Sequence, residues 1–284
     1  MLYLILAVIT GASVSFVLRL SKPYVKNEMV LFAVNYVICF ALARLFMGKT
    51  DLIIHTEGLG FALIAGAIAG ALYLINFILL QSSMHYNGLV LSTTFMKLGV
   101  IVPTLMAIAI FREQPSIIQA IGLVIAIVAI VMIHFEKTSE ETTSSGNKGY
   151  KYLLIVLLLA AGITDSMANI YDNFGNPELE NHYLFYVFIA AFIFAAIISF
   201  RRKEKVTRAE ILWGTILGIP NYLSARFLLL SLGSVPAVIT YPVYSVGSII
   251  LITIAGVLMF KEKLSKQKII ALVLIIAALV LLNM

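Results

Sequence analysis

Long apolar runs, broken at fairly even intervals by short polar or Pro/Gly stretches, organise this sequence. Runs of spanning length fall at about residues 2–21, 28–47, 58–81, 87–111, 116–135, 152–172, 182–200, 209–232, 236–260 and 266–283. Each supplies the roughly 20 mostly apolar residues that a helix rising 1.5 Å per residue needs to cross about 30 Å of hydrocarbon. The pattern predicts an all-α polytopic membrane protein with ten transmembrane helices. Most connections are a few residues long, so consecutive helices are expected to run antiparallel and pack side by side. The exception is 136–151, with the run TSEETTSSGNKG, which is too polar to bury and too rich in Ser, Thr and Gly to order itself. It predicts a first five-helix unit over 1–135, a polar linker over 136–151 and a second five-helix unit over 152–284.

The two units echo each other. Phe111-Arg112-Glu113-Gln114-Pro115-Ser116 returns as Phe260-Lys261-Glu262-Lys263-Leu264-Ser265, an offset of 149 residues that also pairs Tyr3 with Tyr152 and Tyr73 with Tyr222. An offset of 148 pairs the step Gly66 to Gly70 with Gly214 to Gly218, where small residues let two helices approach closely. Five being odd, a repeated five-helix unit enters the membrane in opposite senses and gives an inverted repeat, the architecture of alternating-access carriers.

Composition excludes most other classes. The chain of 284 residues is 61% hydrophobic and 12% charged, with a mean hydropathy of +1.03. Soluble domains carry about 25% charged residues. The net charge of +6 does not point to nucleic acid, because Lys and Arg sit between apolar runs rather than on one basic, aromatic-laced surface. The single cysteine, Cys39, permits neither an internal disulfide nor a thiolate metal cage. Met1 to Leu18 has no basic residue ahead of its apolar stretch, whereas Arg19, Lys22 and Lys26 follow it; this is the polarity of a retained first helix rather than a cleaved signal.

Each half ends with an apolar helix, a Phe-x-Glu corner at Glu113 or Glu262, and a last helix of the kind IIQAIGLVIAIVAIVMI or KQKIIALVLIIAALVLL. This plan resembles the drug/metabolite transporter superfamily, in particular its ten-helix EamA-type branch. The resemblance implies a transporter of amino acids or related metabolites, and both termini in the cytoplasm. The charge pattern reads the other way. Loops after the odd-numbered helices hold most of the Lys and Arg, including Lys148, Arg201, Arg202, Lys203 and Lys261, whereas the opposite side holds Arg44, Lys49 and Arg112. Positive loops face the cytoplasm, so the charge count, which belongs to this chain, favours both termini outside, in the plasma membrane of a prokaryote.

Candidate chemistry lies in the polar residues inside the spans, where a central charge costs roughly 2.5 to 3.5 kcal/mol on insertion scales. Lys97 in span 4, Asp165 in span 6 and Arg226 in span 8 are read as substrate contacts in a central cavity, clear of snorkelling reach of an interface. The bland alternatives are a structural Lys97 paired with Asp165, and an Arg226 paired with Asp165 or Asp172. The stretch Thr94-Phe95-Met96-Lys97 before Pro103 resembles the fourth helix of sugar-nucleotide carriers of the same superfamily, in which a lysine contacts substrate. Arg226 offers a planar fork suited to carboxylate or phosphate, one turn beyond Tyr222 and past Pro220, which bends its helix. Asp165, Asn169 and Asp172 form one stripe, able to hold a substrate amine or a coupling proton. Tyr73 with Asn76, and Tyr241, Tyr244 and Ser245 with Ser248, form further polar faces that line a cavity or glue helices. Glu113 and Glu262 read as corner caps of helix N-termini, and His55, His85, His134 and His182 as interfacial residues without metal-ligand spacing.

These residues predict a secondary-active transporter that moves a small polar metabolite, an amino acid, organic acid or phosphorylated metabolite, by alternating access. Its partners are the lipid bilayer, the small-molecule substrate and a coupling proton or counter-substrate; no cofactor or metal is expected. A lipid or lipid-carrier flippase built on the same helices is the alternative. An intramembrane enzyme ranks lower, because no nucleophile with its base and no metal cluster is visible.

Overall fold

The computed structural model describes residues 1–47, 56–87, 92, 95–96, 98–134, 152–260 and 266–282. Among these, ten α-helices follow one another: α1 (Leu2–Ser21), α2 (Glu28–Phe46), α3 (Leu59–Asn87), α4 (Ile101–Ala109), α5 (Ile117–His134), α6 (Tyr152–Phe174), α7 (Glu180–Arg201), α8 (Arg208–Leu232), α9 (Ala237–Phe260) and α10 (Lys266–Leu282), with a 3-10 turn at Pro177–Leu179. The chain is an all-α, multi-pass membrane protein. Seven of these helices are long and apolar enough to cross a bilayer, and α5 and α10 contain shorter apolar stretches. The helix boundaries follow the apolar runs closely, with two differences. α3 continues to Asn87, past the expected end at 81, because Gln81 to Asn87 carry no proline or glycine to stop it. α4 is described over Ile101–Ala109, a part of the expected 87–111. The linker 136–151, Lys97 and Glu262 lie outside the described residues.

Contacts divide the chain into two compact units that cut across the sequence halves. The first comprises Met1–Leu74 and Met167–Gly233; within it α2 packs against α7 and α8, and α1 against α8. The second comprises Ile75–Ser166 and Ser234–Met284, with α5 on α10 and α9 on α4, α5 and α10. Each unit therefore draws pieces from both halves. Most of the helix packing within each unit joins one half to the other.

The duplication is visible atom by atom in the first unit. The two glycine steps each form a close helix crossing, and the crossings match. A Cβ on Gly66 would sit 2.7 Å from Tyr186 Cβ and 3.0 Å from Tyr183 O, and one on Gly70 would sit 2.8 Å from Ala190 Cβ. On the other crossing, a Cβ on Gly214 would sit 2.7 Å from Val34 Cβ and 2.8 Å from Leu31 O, and one on Gly218 would sit 2.8 Å from Asn35 O. Each half thus docks its third helix on the second helix of the other half, with Leu31 answering Tyr183 and Val34 answering Tyr186, an offset of 152 residues.

The same relation appears in the loops. Asn27 Nδ2 donates to the Lys205 carbonyl at 2.8 Å, and Asn176 Nδ2 donates to the Glu57 carbonyl at 3.1 Å. Asn27 and Asn176 are 149 residues apart, and Glu57 and Lys205 are 148 apart. These are one contact made twice. Asn27 leads straight into α2 at Glu28, whereas Asn176 is followed by the 3-10 turn Pro177–Leu179 before Glu180 opens α7. The three extra residues of that turn explain why the offset grows from 149 to 152 between loop and helix. Next to Glu57, Gly58 has φ +94°, a left-handed backbone that a side chain would strain.

At the centre of this unit lies a matched aromatic group. Phe188 packs on Tyr36 at 6.4 Å, on Tyr73 at 6.4 Å and on Tyr222 at 6.0 Å between ring centroids. Tyr73 and Tyr222 are equivalent in the repeat, and so are Tyr36 and Phe188, so two pairs of related residues meet in one cluster.

In the second unit Gly162 of α6 abuts Gly99 O and Val102, ahead of and within α4, and Gly122 of α5 faces Ala278 and Leu281 of α10. Glu113, the first corner carboxylate, accepts the backbone N–H of Ala237 at 3.0 Å and of Val238 at 2.8 Å. It therefore caps the N-terminus of α9, satisfying orphan donors with a charge that the helix dipole favours.

Candidate functional site

The sequence candidates fall into two groups, one in each unit. Tyr73, Asn169, Tyr222 and Arg226 belong to the first; Asn76, Asp165, Tyr241, Tyr244 and Ser245 belong to the second. Lys97 lies outside the described residues.

In the first unit the chemistry converges on Arg226. Its Nη1 donates to Asn181 Oδ1 at 2.6 Å and to the Tyr222 hydroxyl at 3.0 Å. Its guanidinium carbon stands 4.2 Å from the centroid of the Phe46 ring, and that ring stacks on Tyr222 at 5.7 Å. Local sequence explains how these parts meet. Tyr222 and Arg226 are one turn apart on α8 and so share a face. Phe46 ends α2, and Asn181 sits in the first turn of α7 while donating its own Nδ2 to the Phe46 carbonyl at 3.4 Å. Because Tyr222 accepts from Arg226, its own hydroxyl proton is left to donate onward.

Arg226 lies six residues before the end of α8, about 9 Å along the axis. Its long stem carries the guanidinium to the last residue of α2 and the first turn of α7. No carboxylate of the described residues lies within the 4.0 Å of an ion pair with Arg226. Pairing with Asp165 or Asp172, the bland alternative, is not what holds it. Neutral groups and a ring face hold it instead. Asp172 and Glu180 are half-buried at the same end of the unit, and the Glu180 carboxylate interacts electrostatically with both Asp172 and Arg226.

The remaining residues of this group are Asn169 and Tyr73. Asn169 is buried, with its Oδ1 accepting from Asn173 Nδ2 at 2.9 Å, and its own Nδ2 has no partner among the described residues. Tyr73 is half-buried against Phe188.

In the second unit the Tyr241 hydroxyl donates to the backbone carbonyl of Asp165 at 2.8 Å, tying α9 to α6. Asp165 and Tyr244 are half-buried, and Ser245 is buried. Asn76 is buried with its Oδ1 unpartnered among the described residues. His182, read as interfacial, is buried instead, 2% exposed, because the first turn of α7 lies inside the unit.

Sequence reasoning missed Asn181 and Phe46. The expected span opened at 182, which left Asn181 in a loop, and no local pattern links it to an arginine 45 positions on. A second omission carried a readable signal. Thr207-Arg208-Ala209-Glu210 is a capping box at the start of α8, and the buried Glu210 carboxylate also accepts the N–H groups of Lys26 and Asn27, both at 3.1 Å.

Comparison with known proteins agrees with this architecture. Residues 148–284 match the model of the EamA-like transporter family. An uncharacterized protein of Haemophilus influenzae is 26% identical over 274 residues, covering 93% of this chain and 91% of that protein. The uncharacterized membrane protein YvaE of Bacillus subtilis is 45% identical over 61 residues, 22% of this chain and 51% of that one. A crystal structure with 15% sequence identity superposes with a TM-score of 0.74 over 99% of this chain and 94% of its own, which shows a shared fold. A second half that matches EamA-like transporters, together with ten helices that follow the duplicated plan, supports membership of the drug/metabolite transporter superfamily.

Proposed function

We propose that this transporter carries a small carboxylate-bearing metabolite, an amino acid or organic acid, across the membrane by alternating access, and that Arg226 contacts the carboxylate. The observation that carries the reading is a permanently charged guanidinium within a membrane-spanning helix that is held by an amide, a phenol and a ring face, and by no carboxylate among the described residues. A structural arginine in such a place gains most from an ion pair with further hydrogen bonds. Here the planar fork keeps donors for a guest. Asp172 and Glu180 nearby favour an amino acid, whose ammonium has a place beside them. Asp165, Asn76, Tyr241, Tyr244 and Ser245 are proposed as further contacts along the path, and both termini are placed outside on the charge count.

Reconstituted protein in liposomes, tested for uptake of labelled L-alanine, L-glutamate and succinate against movement of a fluorescent phospholipid, checks the proposal. Saturable uptake of at least one carboxylate that is lost in Arg226→Ala supports it. Lipid movement with none of the three taken up would replace it with a flippase, and uptake unchanged in Arg226→Ala would remove Arg226 from the site.

A further inference from the structure

We infer that Asn181 is a specificity-determining residue that keeps the Arg226 charge available to an anionic group; the inference rests on the proposed role of Arg226. The contact between Asn181 Oδ1 and Arg226 Nη1, at 2.6 Å, is as short as a bond to a carboxylate oxygen. The acceptor is nevertheless an uncharged amide. An amide oxygen orients the guanidinium as a carboxylate does, but it does not neutralise it. Tyr222 repeats the device at 3.0 Å, and Phe46 supports the flat face without supplying a counter-charge.

The neighbourhood does contain acids, which makes their placement informative. Glu180 directly precedes Asn181 in α7, and Asp172 lies near the end of α6. Glu180 interacts electrostatically with both Arg226 and Asp172, yet neither acid takes the hydrogen-bonding place, since no carboxylate of the described residues is within 4.0 Å of Arg226. Successive helix residues point about 100° apart, so the chain puts its acid one step off the arginine and its amide on it. The repeat shows that this arrangement is not a requirement of the framework. By the offset of 149 that pairs Tyr73 with Tyr222, Arg226 corresponds to Phe77, and by the offset of 152 that pairs Leu31 with Tyr183, Asn181 corresponds to Met29, so the first half carries two apolar residues at the equivalent positions.

An aspartate at position 181 has the same size and would complete a salt bridge in place of the amide contact. Asn181→Asp should therefore fold, with thermal stability equal to or above that of the parent. Its KM for L-alanine, L-glutamate or succinate, whichever the reconstituted protein takes up, should rise about tenfold or more at pH 7, the effect of an anionic guest competing with a built-in one. Relative to the parent at each pH, the rise should shrink as the new carboxyl becomes protonated in acid and again resembles an amide. Asn181→Ala, which removes the acceptor and adds no charge, should change KM far less than Asn181→Asp. Equal KM increases in the alanine and aspartate variants, or an aspartate variant with the parent KM at pH 7, overturn the inference while leaving Arg226 as the carboxylate contact. Uptake undiminished in Arg226→Ala, or uptake of none of the three carboxylates, overturns the reading of Arg226 itself and this inference with it.

Discussion

Alanine substitution of the two matched helix crossings puts the duplicated architecture to a quantitative test. At Gly70 the new methyl would meet Ala190 Cβ at 2.8 Å and the Ala191 backbone nitrogen at 2.9 Å; at Gly218 it would meet Asn35 O and Ile38 Cγ2, both at 2.8 Å. Relaxed contacts between such atoms lie near 3.5 to 4.0 Å, so each crossing must open by several tenths of an ångström. The obstacles include backbone, which cannot rotate away. Overpacking of this kind costs about 1–3 kcal/mol. Against it stands the intrinsic gain of replacing glycine by alanine within a helix, about 1 kcal/mol. Gly60, in the first turn of α3, isolates that gain, because nothing lies within 4 Å of a Cβ added there. The expected order is thus Gly60→Ala at or above the parent, with Gly70→Ala and Gly218→Ala both below it and close to each other, since the crossings are equivalent. Thermal unfolding in detergent, followed by the fluorescence of the single tryptophan, Trp213, reads the order directly. A kcal/mol is worth roughly 2–4 °C in a chain of 150–250 residues, and the lower end applies to one of 284. Gly70→Ala and Gly218→Ala melting together with Gly60→Ala would refute the close crossings, and a large loss in one alone would refute their equivalence.

Three further outcomes are expected. Glu113→Gln keeps one amide oxygen for two backbone donors, so one N–H of α9 loses its charged partner; a loss of about 1.5–3 kcal/mol is expected, measured as reduced thermal stability, with no change if the cap is incidental. Glu210→Ala strips acceptors from Lys26, Asn27 and Thr207 in one step and should destabilise more than Glu113→Gln in the same assay. Tyr241→Phe deletes the hydroxyl that donates to the Asp165 carbonyl and should cost about 0.6 kcal/mol, the average for interhelical bonds in membranes, so that a loss of several kcal/mol would point to a larger role for this residue.

The helices and their duplication were legible in the sequence because both depend on local or repeated patterns. A span announces itself by composition alone, and a glycine step at a fixed offset announces a crossing before its partner is known. Which helix the step would meet was not legible: Gly66 and Gly214 carry no mark of Tyr183 and Leu31, since the partner depends on how two halves fold into each other. The loop bonds of Asn27 and Asn176 were hidden for a related reason, because their acceptors are backbone carbonyls and carry no residue signature. Arg226 was found as a rare charge in an apolar run. Its partners Asn181 and Phe46 were not legible, because the run gives the position of the Cα and the guanidinium lies at the far end of a long stem.

What is duplicated and what is not divides the molecule by purpose. The crossings and the loop bonds recur in both halves, and the aromatic cluster around Phe188 is built from both; under the proposed alternating access these are the parts that the two halves would share. Recognition has the opposite requirement. A second arginine in place of Phe77 would add another cation within a span and a second resting place for the guest, and a carrier that holds its substrate at two such sites releases it slowly from both. On the proposed role of Arg226, a guanidinium in one half, with an amide to orient it and Met29 and Phe77 at the corresponding positions of the other, gives the guest a single point of attraction. Introducing Phe77→Arg should therefore leave the uptake KM for the carboxylate unchanged or lower while reducing the maximal rate; a rate equal to that of the parent would show that one-sided recognition is not what limits turnover.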